Sequence, residues 1–232
     1  MAGTASLTVR SAVRRAAARS VRAQRMLFRA RWSSPSRLEP LSEWGFERGT
    51  PVDRWYVERF LDLHRPAAGG HALEVMEDMY ATRLGAGSLD VVDIDRGNPL
   101  ATIVGDLCDP ATLRGRLFDV VVLTQTLQLL VDPCQALVNL GASLKPGGVI
   151  LVTVPCVSRL AGPGDRWRWT PLGFTELVAA AGLGGDISAA GNMLACRAFL
   201  FGAAAGDIGD QLLGHHDPDF PLLVTAVLRP GR

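Results

Sequence analysis

The body of the chain alternates short apolar runs with longer segments that are compatible with helices. Continuous apolar runs of this length are typical of strands that a sheet buries on both faces. They are found at residues 71–75, 88–94, 101–104, 118–124 and 149–154. Because helical segments separate most of them, we predict a three-layer α/β domain in which helices cover both faces of a mostly parallel sheet.

The clearest unit of this pattern spans residues 118–155. The apolar run at 118–124 ends in the polar tip TQT at 124–126, and a helical segment and the turn LKPGG at 144–148 lead to the next run. Two strands that are joined by a helix lie parallel in one sheet. Since ligands bind beyond the carboxyl ends of such strands, we expect the functional site at this tip and at its neighbours.

Turn and cap residues place the remaining elements. Pro51 suits the first position of a helix over 52–64, with Thr50 as its N-cap. A short helix after the first strand is expected to end near Gly85. Two further helices and two late strands are predicted at 170–181, 194–205, 186–190 and 222–228. A late strand that follows a non-crossover link is expected to run antiparallel in the edge region of the sheet.

Charge is distributed unevenly along the chain. The first 38 residues hold nine arginines and no acidic residue, whereas the rest holds all 23 acids and 15 bases. We therefore divide the chain into a basic arm, residues 1–38, and one domain, residues 39–232. A weakly acidic body with one basic arm is not typical of a protein that coats nucleic acid, so we expect no nucleic-acid partner.

The arm allows three interpretations. Residues 7–32 contain no glycine or proline, and at about 100° per residue most of their arginines fall on one side of a helix. Such a helix is typical of peripheral contact with an anionic membrane, and an Arg-rich, acid-free segment is also typical of a mitochondrial transit peptide. The third interpretation is a solvated extension. We expect a cytoplasmic protein that is membrane-peripheral in the first case, with a mitochondrial location as the alternative.

Cysteine spacing bears on metal binding. Cys108, Cys134, Cys156 and Cys196 are widely spaced and form no CxxC pair. Zinc sites need close ligand pairs, so we expect no metal site and interpret the four residues as reduced thiols in the core. No apolar run in the sequence reaches the roughly 18 residues of a membrane span.

Three segments resemble one protein family. The run FDVV at 118–121, the turn LKPGG at 144–148 and the segment GDRWRWT at 164–170 resemble marks of class I S-adenosylmethionine-dependent methyltransferases. The last segment is similar to the DYWRFT segment of bacterial enzymes of the methyltransferase type 11 kind, which often accompany glycan-building enzymes. The resemblance covers residues 37–229. It implies a Rossmann-like, mostly parallel seven-stranded sheet with one antiparallel strand in its edge region.

The resemblance also implies an S-adenosylmethionine site at the carboxyl ends of the first strands. There the family has an acid followed by a glycine-rich turn, whereas this chain has Glu74 and then MEDMY at 76–80. Met76 occupies the place of the first glycine. Asp93 and Asp95, 19 and 21 residues after Glu74, are candidates for the ribose hydroxyls, and Asp95 at the tip is preferred. Structural interpretations remain open: Glu74 as a helix N-terminal acid and Asp95 in a turn.

Further cofactor contacts are implied after the third and fourth strands. In similar methyltransferases an acid after the third strand contacts the adenine amino group, and Asp106 has this position here, followed by Leu107. Thr124 and Gln125 end the fourth strand beside the presumed methyl group. The alternative for Asp106 is a loop acid that caps a helix near Pro110.

The acceptor and the base are less constrained. Trp167 and Arg168 are candidates for holding the acceptor, which we expect to be a small molecule or glycan-like. Their alternative is structural, a Trp that closes the sheet edge and an Arg that is paired with an acid. No catalytic residue is assigned, and the candidates are Gln125, His215 and His216, of which a histidine near the site could act as a base.

We therefore predict direct, in-line methyl transfer from S-adenosylmethionine. The alternative is a degenerate homologue that keeps the fold, binds no cofactor and acts as a scaffold or partner subunit. The missing glycines favour this alternative, while Asp95 and Asp106 oppose it. A nicotinamide-dependent oxidoreductase requires GxGxxG after the first strand, and residues 76–85 do not contain that motif.

Overall fold

The computed structural model describes residues 38–65 and 70–231, together with Met26 and Trp32. Predictions for the basic arm, including the helix at 7–32 and its membrane contact, lie outside these residues. Trp32 packs edge-on against Phe201, with 5.4 Å between the ring centroids, and its carbonyl accepts a hydrogen bond from Arg197. The division of the chain after residue 38 stays a prediction.

Within residues 38–65 and 70–231, strands and helices follow the predicted alternating order. The strands are β1 (His71–Val75), β2 (Ser88–Asp93), β3 (Ile103–Val104), β4 (Phe118–Thr124), β5 (Leu144–Pro155), β6 (Leu183–Ala190) and β7 (Leu223–Pro230). The α-helices are α1 (Val52–Leu63), α2 (Met79–Leu84), α3 (Pro133–Ala142), α4 (Pro171–Ala180), α5 (Met193–Phe201), α6 (Ala205–Ile208) and α7 (Asp210–Leu213). Short 3-10 helices lie at Phe46–Arg48 and Leu127–Leu129.

The seven strands form one sheet in the order β3-β2-β1-β4-β5-β7-β6. Strand β7 is antiparallel to both of its neighbours, β5 and β6, and the other pairings are parallel. This confirms the predicted fold class, including the antiparallel strand in the edge region. The strand order reverses between β1 and β4, so a crevice opens at their carboxyl ends, where such sheets bind ligands.

The side chains of the sheet alternate between two apolar layers. Phe118 and Leu123 of β4 pack in the layer that includes α3 and α4, where Phe174 is fully buried. Val122 of β4 packs in the opposite layer with Leu61 of α1 and with residues of α2 and α5. Burial of each such side chain contributes about 1.5–3 kcal/mol. The two layers therefore hold the ends of the central strands in place.

The predicted cap of α1 is wrong. Pro51, not Thr50, is the N-cap of α1, and no side chain caps this helix. The Thr50 carbonyl instead accepts the N–H of Ala205 at 2.7 Å, and Pro51 forms an isolated antiparallel bridge with Ala204. Pairing with a segment that is distant in sequence therefore replaces the local cap.

The helix predicted at 194–205 ends earlier, at Phe201. Gly202 follows it in the left-handed conformation, with φ 74°. A Cβ atom on Gly202 would overlap the carbonyl oxygen of Ser42, so this close approach of two backbone segments requires glycine. A separate short helix, α6, then begins at Ala205.

The described part of the chain contains neither a membrane-spanning helix nor a cluster of metal-ligating side chains, and its four cysteines are free thiols. No helix there is long and apolar enough to cross a membrane. No group of three or more His, Cys, Asp or Glu side chains gathers there as metal ligands would. The four cysteines are free thiols that are half-buried and packed against the margins of the two apolar layers, rather than inside the core as predicted.

Candidate functional site

Two adjoining clefts open at the carboxyl ends of β1, β2 and β4. The β2 cleft, of about 790 Å³, is lined by Asp93, Asp106 and the apolar residues 129–131. The β1 cleft, of about 620 Å³, is lined by Glu74, by residues of α1 and by the polar tip of β4. Val75, Met76 and Thr126 line both clefts. The two clefts therefore form one elongated site at the point where the strand order reverses.

Asp93 ends β2 and its side chain is buried beside the β2 cleft. Its Oδ1 accepts the N–H of Asp95 at 2.9 Å, and its Oδ2 accepts an N–H of the Asn98 side chain at 2.7 Å. A carboxylate offers about four acceptor positions. About two positions on Asp93 are therefore left for donors in the cleft, which matches the two adjacent hydroxyl groups of a ribose.

Asp95 lies in the turn after β2 and lines neither cleft. Its Oδ1 accepts the N–H of Gly97 at 2.8 Å, and the residue is exposed. This is the turn-forming role that the sequence left open for Asp95. The geometry therefore favours Asp93 over the preferred Asp95 as a residue of the site, because Asp93 lines the β2 cleft and Asp95 lines neither cleft.

Asp106 and Leu107 follow β3 and both line the β2 cleft. The loop that carries them is fixed by local hydrogen bonds. Asp106 Oδ1 accepts the N–H of Cys108 at 2.8 Å, and the Thr112 hydroxyl donates to the Asp106 carbonyl at 2.6 Å. The structure thus brings Asp93, Asp106 and Leu107 together around one cleft.

Two residues other than glycine have left-handed backbones at the site, Met76 where the two clefts meet and Gln125 in the β1 cleft. Met76, directly after β1, has φ 69°, and Gln125, directly after β4, has φ 47°. Hydrogen bonds hold the Met76 peptide, because its N–H donates to the Val92 carbonyl and its carbonyl accepts from Asn98. Non-glycine residues in this region are uncommon and concentrate at functional sites. At Met76 the backbone therefore has the left-handed conformation that glycine usually adopts, although the residue is a methionine.

Replacing Met76 with glycine is expected to leave stability unchanged or to raise it by up to about 1 kcal/mol. The left-handed conformation costs an L-residue roughly 1–2 kcal/mol, and glycine loses about 0.5–1 kcal/mol through its more flexible unfolded chain. Met79→Gly is the matched control, because Met79 lies in the first turn of α2 and the same change there costs about 1 kcal/mol. Urea unfolding of both variants measures the difference, and equal losses would contradict strain at Met76.

Glu74 is buried in β1, and its carboxylate points at the N-terminus of α2. Oε1 accepts the N–H of Tyr80 at 3.1 Å and Oε2 accepts the N–H of Ala81 at 2.7 Å. Burial raises the pKa of Glu74 to about 7, against the lowering effect of these two hydrogen bonds. Glu74 lines the β1 cleft, but its two oxygens are engaged with α2, which is the structural role that the sequence left open.

The tip of β4 is tied to β5. The Gln125 N–H donates to the Thr153 carbonyl at 2.9 Å, and the Gln125 carbonyl accepts from Gln128 Nε2 at 2.6 Å. Thr124 and Gln125 both line the β1 cleft. Gln125 Nε2 donates to the Thr153 hydroxyl at 3.3 Å, so this side chain is a fixed neutral amide. That arrangement suits a positioning role better than the removal of a proton.

The tryptophan-arginine loop before α4 is held mostly by its own residues. Arg168 donates to both carboxylate oxygens of Asp165, at 2.5 and 2.8 Å, and to the Arg159 carbonyl. The Trp167 indole donates to the Leu130 carbonyl at 2.9 Å. Arg168 therefore has the structural pairing that the sequence left open. Arg166, which was not predicted, lines the β2 cleft instead.

His215 and His216 are not part of the clefts. Both residues are exposed in the segment after α7, and neither lines the β1 or the β2 cleft. The His215 carbonyl accepts a hydrogen bond from the Asn192 side chain at 2.7 Å, which fixes the backbone of this turn. The geometry therefore gives neither histidine a place beside the reacting atoms.

The sequence analysis missed several residues that line the β1 cleft, among them Asp53, Arg54 and Tyr80. Arg54 lies over the ring of Phe46 at 5.3 Å and over that of Tyr80 at 5.9 Å, and it contacts the Tyr80 hydroxyl at 3.4 Å. Asp53 and Arg54 come from α1, which precedes the first strand. An acid in the first turn of a helix is common for local reasons, so no sequence signal marked Asp53 as part of a site.

Comparison with known proteins gives one family match. The model of a family described as methyltransferase domain matches residues 36–178. Among proteins of curated function, none matches the sequence significantly.

Solved structures with the same fold are distant in sequence. The methyltransferase CcbJ from Streptomyces caelestis is 16% identical, with 82% of this chain and 94% of that chain covered and a TM-score of 0.52. The cyclase SpnF is 16% identical, with 88% and 91% covered and a TM-score of 0.52. A third structure, 1,6-didemethyltoxoflavin-N1-methyltransferase from Burkholderia thailandensis with bound 1,6-didemethyltoxoflavin and S-adenosylhomocysteine, is 14% identical, with 76% and 77% covered and a TM-score of 0.50. These similarities concern the fold.

Proposed function

The chain belongs to the methyltransferase-domain family, and from this premise we propose that it transfers a methyl group from S-adenosylmethionine directly to a small-molecule acceptor. The observation that carries the proposal is the elongated site at the strand reversal, with the buried Asp93 carboxylate in one cleft and the polar tip of β4 in the other. S-adenosylmethionine is the cofactor that we assign to this site.

The β2 cleft fits the adenosine part of the cofactor. Asp93 has acceptor positions for two ribose hydroxyls, and Asp106 is available for the amino group of adenine. Leu107 and the apolar residues 129–131 supply the flat apolar walls that a nucleobase requires. We therefore assign Asp93, rather than Asp95, to the ribose.

The β1 cleft fits the amino-acid part of the cofactor. Of the described residues that line it, Arg54 is the single cation, and its guanidinium is held over the Tyr80 ring. A carboxylate group that enters this cleft would pair with Arg54. Met76, with its left-handed backbone, lies between the two parts.

The residues of the chain contribute position and dehydration rather than covalent chemistry. The bound cofactor supplies an electrophilic methyl group, and holding the acceptor in line with it accounts for most of the acceleration. Gln125, which is held by Thr153, lies at the tip of β4. It lines both the β1 cleft and a neighbouring cavity next to Trp44 and Phe46. Walls such as Leu129 and Leu130 exclude water from the β2 cleft.

A glycan-like acceptor is the less favoured form of this proposal. That expectation depended on Trp167 and Arg168 as a holding surface, and Arg168 is engaged with Asp165 and Arg159. Trp167 is 41% exposed and stacks on Trp169 at 6.4 Å, so it retains a free face.

The cytoplasmic location and the membrane contact of the arm also stay predictions.

Calorimetric titration of the full chain with S-adenosylmethionine and S-adenosylhomocysteine tests the cofactor assignment. We expect binding in the micromolar range for both, because the Asp93 and Asp106 cleft is formed despite the loop without glycine. NAD is the control, and it is expected not to bind, since residues 76–85 lack the dinucleotide-binding glycines. A cooperative unfolding transition shows that the chain is folded. If such a chain binds neither S-adenosylmethionine nor S-adenosylhomocysteine, the assignment is refuted.

The second candidate function is a protein of this fold that does not methylate. The observation in its favour is the turn at 76–80, which contains no glycine and has Met76 in the place of the family's first glycine. A fold does not determine a reaction, and the similar structure of the cyclase SpnF is an example. Failure to bind S-adenosylhomocysteine in the same titration would favour a scaffold or partner subunit.

A further inference from the structure

A third cavity adjoins the β1 cleft on its outer side. This outer cavity, of about 680 Å³, is lined by Trp44, Phe46, Asp53, Arg54, Gln125 and Gln128, among others. Within the described residues, two buried side-chain oxygens lack a hydrogen-bond partner, Asp53 Oδ1 and Gln128 Oε1. Both residues line this one cavity. Buried polar atoms normally have partners, so the pair indicates a ligand that donates hydrogen bonds.

We propose that the outer cavity is the acceptor site, and that the acceptor is a primary amine on an aromatic body, which donates one N–H to Asp53 and one to Gln128. The proposal rests on the methyltransferase function proposed above and deepens it by naming the class of acceptor. Asp53 then contacts the substrate directly. It was not predicted from the sequence, and it lines both the β1 cleft and the outer cavity, so it lies where the cofactor and the acceptor would meet.

The orientation of Gln128 is fixed by its neighbour. Gln128 Nε2 donates to the Gln125 carbonyl at 2.6 Å. Turning the amide over would place its oxygen against that carbonyl, where two acceptors repel each other. Gln128 Oε1 therefore stays an acceptor, and its partner has to be a donor.

Asp53 forms no ion pair with a cation among the described residues. Arg54 lines the same cavity, over the rings of Phe46 and Tyr80, and its charge partly opposes the rise in the pKa of Asp53. Burial raises the pKa of Asp53, so its carboxylate accepts a proton more readily than an exposed aspartate does. The other acid of the cavity, Asp165, accepts hydrogen bonds from Arg168 and from the Ala161 N–H and is already paired.

The walls of the cavity suggest the body of the acceptor. Phe46 is 56% exposed, and Trp44 packs against Phe199 with ring centroids 6.0 Å apart. Aromatic walls of this kind pack well against a flat ring. A primary amine has two N–H donors and one lone pair, so it satisfies both oxygens and still presents the lone pair to the methyl group.

The chemical step balances with the residues present. The acceptor reacts as the neutral amine, after its ammonium form has released one proton to solvent. Its nitrogen lone pair forms a bond to the methyl carbon while the carbon–sulfur bond breaks, and that electron pair stays on sulfur. The nitrogen becomes a methylated ammonium and releases one proton to the Asp53 carboxylate, which returns it to solvent. The products are the N-methylated amine and a neutral thioether.

The test is calorimetric titration of the full chain, saturated with S-adenosylhomocysteine, with tryptamine, phenethylamine and tyramine. The matched alcohols, tryptophol and 2-phenylethanol, serve as probes with one donor. We expect at least one amine to bind, and to bind at least tenfold more tightly than its alcohol. Asp53→Asn is expected to weaken that amine at least tenfold, the loss typical of a hydrogen bond to a charged group.

Asp62→Asn is the matched control, because Asp62 is an acid on the same helix that pairs with Arg83 and Arg65 on the surface. This variant should bind the amine as the native chain does. Affinity for S-adenosylhomocysteine should change less than twofold in Asp53→Asn. If Asp53→Asn weakens S-adenosylhomocysteine and spares the amine, Asp53 belongs to the cofactor site and the inference is wrong.

The outcomes separate this inference from the proposed function. If S-adenosylhomocysteine binds and no amine of the panel does, the cofactor assignment stands and the amine site is refuted. If S-adenosylhomocysteine does not bind, the amines are titrated into the free chain. Binding that Asp53→Asn abolishes would then support an amine site in a protein that does not methylate, and no binding would refute both.

Discussion

Replacing Glu74 with alanine is expected to lower the free energy of unfolding by about 2–4 kcal/mol at pH 4, where its contribution to stability is fully present. The change leaves the N–H groups of Tyr80 and Ala81 without the carboxyl group that they now share. Each buried donor that loses its partner costs about 1–3 kcal/mol. Urea unfolding, followed by circular dichroism, measures the loss. Glu77→Ala is the control, because Glu77 is exposed in the same loop and its removal should cost less than about 0.5 kcal/mol.

The pH dependence of this effect has a defined sign. The pKa of Glu74 is about 7 in the folded chain and 4.5 in its ordinary state, so between these values the folded chain binds more protons than the unfolded chain. The stability that Glu74 contributes is therefore fully present below pH 4.5 and is lost as the pH rises to about 7. Relative to Glu74→Gln, which does not titrate, the native chain should lose up to about 1.4 kcal/mol per pH unit in this window. A constant difference would contradict the raised pKa.

Replacing Asp93 with asparagine is expected to weaken the binding of S-adenosylhomocysteine by about 10- to 150-fold. This range corresponds to about 1.5–3 kcal/mol, the contribution of hydrogen bonds to a charged group. Asparagine keeps an oxygen for the Asp95 N–H but removes the charge that faces the β2 cleft. Calorimetric titration of the full chain measures the change.

Asp95→Asn is the matched control for Asp93→Asn. Asp95 stabilises the turn through the Gly97 N–H and lines neither cleft, so its replacement should change the affinity less than twofold. The opposite result, with loss at Asp95 and none at Asp93, would restore the preference that the sequence suggests. A cooperative unfolding transition in both variants shows that the comparison concerns binding.

The sheet could be predicted because its determinants are local. A buried parallel strand is a continuous apolar run, and the run at 118–124 is strand β4 with the same bounds. The runs at 71–75 and 88–94 are β1 and, apart from its last residue, β2. Periodicity and turn residues therefore placed the carboxyl ends of the strands, and with them the edge at which a site belongs.

Local patterns were less informative at the ends of elements. Thr50 has the chemistry of an N-cap, yet its carbonyl pairs with Ala205. The segment after 194 has helical composition, yet Gly202 ends the helix at Phe201. In both cases a contact between segments more than 150 residues apart in sequence decides the backbone.

By itself, the sequence determined the three-layer architecture, the place of the antiparallel strand and three of the acids that line the clefts, Glu74, Asp93 and Asp106, because each depends on residues within one strand, helix or turn. The tertiary structure alone decided that Asp93 faces the cleft while Asp95 forms a turn, and that Arg168 is paired with Asp165. It alone placed Asp53 of α1 and Gln128 after β4 on one cavity. The reversal of strand order between β1 and β4 brings these distant residues to one end of the sheet. A pattern within a short window of sequence does not show which distant residues come together there.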